Sequence, residues 1–232
     1  MNNFEVLILA AGNGTRMKTS IPKLLNKIKN QTILDKTLKK ALLLNAKKVN
    51  VIINRDYESF VKKYKQIKFH YQKKSLGTGH AVKLFYKERK DITSDLLIMM
   101  GDAPSIKIHS IKKVILKLKK TPIVILGAFI KKNNANGMIE LREKKVYQIK
   151  EFSFLKKREK NNCLCNTGVM GIKKNNFHLI NLIKMNKFKN EYLLTDIIKI
   201  AKKTKVDIGL VLTNNGPLSF GINTLKELKA HD

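Results

Sequence analysis

Apolar and polar positions recur along this chain with two alternating periods. Phe4–Ala10 is a near-continuous apolar run, as expected of a strand buried on both faces. Thr32–Leu44 places Ile33, Leu34, Leu38, Ala41 and Leu42 at helical spacing. Strands are then predicted over Val49–Asn54 and Ile67–Tyr71, with a short helix over Tyr57–Tyr64 between them. Gly77-Thr78-Gly79 opens a helix through Tyr86, and Asp95–Met100 is a second buried strand that ends in Gly101-Asp102. A helix over Ile111–Leu118 and a strand over Ile123–Ile130 follow. From Asn133–Gly137 through Lys150 the alternation is hairpin-like. After the charged stretch Lys156–Lys160, helical spacing returns over Asn175–Met185 and Glu191–Lys202. Val206–Leu212 reads as a strand and Thr224 begins a last short helix.

This rhythm predicts an α/β fold, a Rossmann-like doubly wound and mostly parallel sheet with a small β-hairpin insertion. Right-handed crossovers bring the loops after the strands to one edge, where such sheets bind ligands. No linker and no repeat interrupts the pattern, so residues 1–232 are expected to form a single domain. The longest apolar run, Ile123–Ile130, is far short of the roughly 20 residues a membrane span needs. The N-terminus lacks the basic lead-in of a signal peptide, so a cytoplasmic protein without a membrane partner is expected.

Charge changes the picture more than composition does. The chain carries 48 basic and 17 acidic residues, a net charge of +31, and a field of that sign attracts phosphates and nucleic acids. Nearly all of the excess is lysine, however, spread over the whole chain without an aromatic-interleaved stripe. Arginine is the residue that reads guanine and phosphate with a planar fork. The pattern therefore reads as compositional drift rather than as a nucleic-acid interface; a noncatalytic basic binding protein is the rival of a different class. Cys163 and Cys165 form a lone C-x-C with no second pair to complete a zinc site, and are expected to be reduced thiols.

Candidate chemistry concentrates in Leu9-Ala10-Ala11-Gly12-Asn13-Gly14-Thr15-Arg16-Met17, followed by Pro22-Lys23. Met17 stands where a dinucleotide fingerprint needs a third glycine, and Thr15-Arg16 stands where a Walker loop needs Lys-Ser/Thr. Two glycines, a run of amides and two cations nevertheless suit a triphosphate.

The loop resembles the G-x-G-T-R…P-K signature of the sugar-phosphate nucleotidyltransferases. Within them it is most similar to the uridylyltransferase (pyrophosphorylase) domain of the bacterial N-acetylglucosamine-1-phosphate uridylyltransferases. Further motifs agree in order: Gln72 with Leu76–Ala81, Gly101-Asp102-Ala103-Pro104, Asn166-Thr167-Gly168, Glu191–Asp196 and Gly221–Thr224. Two stretches depart from it. Asn134–Ile139 replaces a Gly-Tyr-Gly-Arg-Ile segment, and Met100 stands where tyrosine is common. No hexapeptide repeat of the bifunctional members occurs, so acetyl transfer is not expected.

The resemblance implies roles. Leu9, Ala10, Ala11 and Gly12 would hold the uridine, Gly14, Thr15 and Arg16 would cover the phosphates, and Gln72, Gly77 and Thr78 would contact uracil. Arg16, Lys23 and Asp102 would be catalytic, and Asp102 and Asn223 would ligate Mg²⁺. Gly137, Glu151 and Asn166 would hold the sugar phosphate. Glu191 and Asp196 stay open between a ligand contact and a capping or solvated role. The expected partners are UTP and a sugar 1-phosphate, N-acetylglucosamine 1-phosphate foremost, with another sugar phosphate or CTP as the alternative. Because a sugar phosphate is already anionic, no general base is required.

Overall fold

The computed structural model describes residues 3–12, 14–17, 20–89, 92–133 and 135–231; of Thr15 it describes the backbone alone. Asn13 and Asn134, both within the motifs above, lie outside the described residues.

The chain opens with β1 (Phe4–Ala10), a small hairpin of β2 (Lys27–Ile28) and β3 (Gln31–Thr32), and α1 (Ile33–Leu42). Thr32 caps α1: its side chain accepts from the Asp35 amide while the Asp35 carboxylate reaches back, so a capping box starts the helix. Next come β4 (Val49–Ile53), α2 (Glu58–Val61), β5 (Ile67–Tyr71), α3 (Thr78–Glu88), β6 (Asp95–Met100), α4 (Ile108–Leu118) and β7 (Ile123–Lys132). The hairpin β8 (Met138–Arg142) and β9 (Lys145–Lys150) precedes a long strand, β10 (Asn161–Ile172). α5 (His178–Asn181), β11 (Met185–Asn186), β12 (Glu191–Tyr192), α6 (Asp196–Lys203), β13 (Ile208–Thr213) and α7 (Leu225–Lys229) complete the order.

The main sheet runs β13-β7-β10-β6-β1-β4-β5. β6, β1, β4 and β5 are parallel neighbours, β13 is parallel to β7, and β10 alone on this path runs antiparallel to both its neighbours. Alternate residues of β1 enter opposite core layers. Val6 and Ile8 pack in the layer of Leu34 and Leu38 from α1, and Leu7 and Leu9 in that of Val82 and Phe85 from α3. The doubly covered sheet explains why the strands read as apolar runs instead of alternating ones. The chain leaves β1 toward β4 on one side, while β6 flanks it on the other. The C-terminal ends of β1 and β6 therefore form a topological switch point.

Two expectations are corrected, and a third element goes unpredicted. The predicted helix over Asn175–Met185 is only the single turn of α5, followed by β11. Phe177, Leu179, Ile180 and Ile183 are buried all the same, so their spacing reported burial and not helix length. Residues 191–195 do not begin the next helix. Glu191 and Tyr192 pair with β11, and the amides of Tyr192 and Leu194 donate to Leu76 O and Thr78 Oγ1 (2.8 and 3.2 Å) before α6 starts at Asp196. The third is β10, which the sequence pattern does not show. A register shift between Asn166 and Met170 breaks its alternation. Gly168, at φ +84°, turns there with Met100 so close that a Cβ would collide with that side chain.

The cysteines stay free thiols, buried, with Sγ atoms 3.5 Å apart, far beyond the roughly 2.05 Å of a disulfide. Burial pushes the Cys165 thiol well up, so it stays protonated and inert. Among the described residues no helix is long and apolar enough to cross a membrane.

Candidate active site

Two adjoining cavities open at the strand ends. One, of about 480 Å³, is lined by Leu9, Ala10, Ala11, Gly12 and Gly14 after β1, with Gln72, Gly77 and Thr78 opposite. The other, of about 260 Å³, is lined by Gly137, Glu151 and Asn166. Arg16, Thr78, Met100, Asp102, Glu191 and Asn223 line both, so the cavities meet at these six residues. Every expected site residue lines one cavity or the other apart from Thr15, whose side chain lies outside the described residues.

The meeting point is built from three loops. After β1, a 3-10 turn over Thr15–Met17 buries Met17 in the core and leaves Arg16 exposed. A second turn, Lys23–Leu25, starts after Pro22, whose ring presets the entering backbone. Lys23, largely buried, extends its ammonium to Asp102 Oδ2 (2.5 Å) and Asn223 Oδ1 (2.9 Å). Arg16 Nη2 donates to that same Asn223 oxygen (2.9 Å). The Asn223 amide is turned by its own bonds: Nδ2 donates to Gly221 O (2.9 Å), and the backbone N–H donates to Glu227 Oε2 (2.6 Å) at the cap of α7. The Ile222 amide donates to Asp102 O (2.9 Å), which fastens this loop to the end of β6.

Gly221 lies against the Asp102 carboxylate, where a Cβ would come within 2.5 Å of Oδ1. Gly221→Ala is therefore expected to displace the carboxylate and lower turnover at least tenfold while the thermal midpoint moves little. A steady-state rate beside a melting curve checks both.

This geometry also tests the fit of a divalent cation. Two hard oxygens, one from a carboxylate and one from an amide, converge on a single cation position, which the Lys23 ammonium fills. Among the described residues no group of three or more His, Cys, Asp or Glu side chains offers a closed metal cage. A two-oxygen site completed by water and phosphate suits Mg²⁺, which seldom takes more from protein.

Gln72 is buried, and its Nε2 donates to His80 Nδ1 (2.8 Å) and more weakly to Gly77 O (3.4 Å). An amide nitrogen only donates, so His80 Nδ1 must accept and the ring must be neutral. Burial, and secondarily Lys83, hold the His80 pKa below its ordinary 6.5, in agreement. With both hydrogens engaged, Gln72 presents its carbonyl as an acceptor. Below the folded-state pKa, protonated Nδ1 becomes a donor and opposes Gln72 Nε2. Affinity for a ligand that donates to Gln72 is thus expected to fall on the acid side, as binding measured against pH would show. The stability contribution has the same sign, because a depressed histidine pKa favours the native state above the window and loses that support as pH falls through it.

In the smaller cavity, Glu151 accepts from Thr195 Oγ1 at Oε1 (2.7 Å) and from Lys189 Nζ at Oε2 (3.2 Å). The Asn166 amide donates to Gly137 O (2.9 Å), and its Oδ1 accepts from Gly168 N (3.3 Å), so the bulge in β10 sets its direction. Glu191 lines both cavities. Asp196 instead lines neither cavity and opens α6 beside Lys199, its pKa raised first by burial and then by Glu151. Sequence reasoning missed the parts played by Lys189, Thr195 and His80 in holding other side chains. Among so many lysines, Lys189 carries no signal of its own.

Residues 6–136 match the family described as MobA-like NTP transferase domain. The bifunctional protein GlmU of Buchnera aphidicola subsp. Baizongia pistaciae is 35% identical over 98% of this chain and 52% of its own length. That of Wolbachia pipientis wMel is 33% identical over 96% and 52%. The chain spans about half the length of these curated relatives. A Bacillus anthracis protein assigned as a glucose-1-phosphate thymidylyltransferase, solved with a sucrose, shares the fold. Its TM-score is 0.77 at 17% identity, over 98% of this chain and 93% of that one.

Proposed function

We propose that this chain, which belongs to the MobA-like NTP transferase family, transfers UMP from UTP to a sugar 1-phosphate, most specifically N-acetylglucosamine 1-phosphate, releasing pyrophosphate. The observation that carries the reading is the Lys23–Asp102–Asn223 cluster at the junction of two cavities, one edged by the glycine loop and Gln72, the other by Glu151 and Asn166. The similarity to GlmU proteins along nearly the whole chain supports uridine as the nucleoside.

In this reading the backbone of Leu9 to Gly12 holds the uridine, and Gly14 with the cations Arg16 and Lys23 receives the triphosphate. The Gln72 carbonyl accepts from a donor on the uracil edge, and Glu151 and Asn166 hold the sugar hydroxyls. An oxygen of the sugar phosphate attacks the α-phosphorus. A new P–O bond forms there as the bond to the β-phosphate oxygen breaks, and pyrophosphate departs with that electron pair. No proton has to move, so no nucleophile–base pair is required. What the protein supplies is alignment of two anions and fixed positive groups where charge grows. Mg²⁺, held by Asp102 and Asn223, would neutralise phosphate charge further.

The reading is tested by crossing four nucleoside triphosphates with a panel of sugar 1-phosphates and measuring pyrophosphate. Release is expected with UTP and N-acetylglucosamine 1-phosphate together. Met138 and Met100 stand where the resemblance expects arginine and tyrosine, so other sugars and CTP belong in the panel. A preference for one of those would reassign the substrate, and no release with any pair would reject the activity.

A further inference from the structure

From the two turns that meet over the smaller cavity, we infer that Lys189 is a positioning residue for the sugar. It acts through Glu151 rather than by touching the ligand. The inference rests on the reading above and adds a residue to it.

Glu151 follows β9 and starts the 3-10 turn Phe152–Phe154. Lys189 lies between β11 and β12, in a turn closed by Asn186, whose Oδ1 accepts from the amides of Phe188 and Lys189 (3.1 and 3.2 Å). Nothing in the chain connects these turns directly, yet they are joined twice. Inside, Lys189 Nζ meets Glu151 Oε2 at 3.2 Å, both side chains being mostly shielded from solvent. Outside, the rings of Phe154 and Phe188 sit edge to face, 6.1 Å between centroids, although Phe188 is 88% exposed. So exposed a phenylalanine has little core to serve, and its visible partner is the ring on the opposite turn.

The two contacts form a clasp with an ionic inner point and an aromatic outer one. The inner point fixes one carboxylate oxygen while Thr195 fixes the other. A carboxylate has about four acceptor positions. With one used on each oxygen, Glu151 is held in one orientation, with one free position per oxygen. That arrangement recognises adjacent donors on a neutral sugar, hydroxyl or amide N–H, and disfavours a substituent that only accepts.

The test measures equilibrium affinity for UDP and for UDP-N-acetylglucosamine, whose ratio isolates the sugar's contribution. Wild type is expected to bind the sugar nucleotide more tightly than UDP. Lys189→Met should cut that ratio about tenfold, in keeping with a hydrogen bond to a charged group, and leave UDP affinity unchanged. Lys189→Arg should restore most of it. In a Glu151→Gln background, Lys189→Met should change nothing further. An unchanged ratio in Lys189→Met overturns the inference, as does an effect that persists without the Glu151 carboxylate, which would make Lys189 a direct sugar contact. Failure of wild type to bind either ligand is a separate result, and it overturns the functional reading together with this inference.

Discussion

Asp102→Ala is expected to lower the rate of pyrophosphate release by about 10²–10³-fold or more, the scale seen when one preorganised electrostatic group is lost from a reaction centre. Two effects act together. The carboxylate is one of two oxygens facing the cation position, and it is also the partner that draws the Lys23 ammonium to the junction of the cavities. Without it, Lys23 retains, among the described residues, the Asn223 oxygen, which it shares with Arg16. The fold is expected to survive, since the Asp102 bond that fastens the 221–223 loop comes from its backbone carbonyl. Binding of UTP, measured by calorimetry, should weaken far less than turnover. Retained turnover would reject the role of Asp102. Binding to a polyanion should be untouched by the substitution, which separates catalysis from nonspecific attraction to a +31 chain.

Arg89→Met is expected to cost about 3–5 kcal/mol of stability, the range for breaking a buried ion pair from one side. The pair lies at the opposite end of the sheet from the site. Arg89, at the end of α3, donates to both Glu5 oxygens (3.0 Å each) in the central strand β1, and Asn50 Nδ2 adds a third bond (3.0 Å). Glu5 and Arg89 are 4% and 7% exposed, so water cannot replace the guanidinium. The substitution would leave a carboxylate in the core with Asn50 as its one side-chain donor among the described residues. Such a group avoids the cost by taking up a proton, which raises its folded-state pKa. The deficit of the variant against wild type should therefore shrink as pH falls toward the acid range. Urea unfolding at two pH values measures both the size and the sign, and a loss below about 1 kcal/mol at neutral pH would show that the network contributes little.

The fold was legible wherever burial wrote an uninterrupted apolar run. β1 and β6 end where the pattern placed them, and the loops expected at one edge do gather there. The strand that carries Asn166 was not legible, because its polar start and the glycine bulge remove the periodicity that marks a strand. Residues 191–195 misled for a different reason. Their amides are committed to Leu76 and Thr78, a tertiary bond that no local pattern encodes. The candidate site shows the same division. Its motifs could be read one by one, but that Lys23 meets groups 79 and 200 residues away follows only from the switch point between β1 and β6. The helpers Lys189 and His80 act on side chains rather than on a ligand, and one sequence carries no mark of that.

The most direct measurement is ³¹P NMR of the protein mixed with UTP, N-acetylglucosamine 1-phosphate and Mg²⁺, repeated with excess chelator. The account predicts equal growth of a nucleoside diphosphate sugar and pyrophosphate, stopping when the ion is withdrawn. Orthophosphate in their place, or the same rate in chelator, would contradict it.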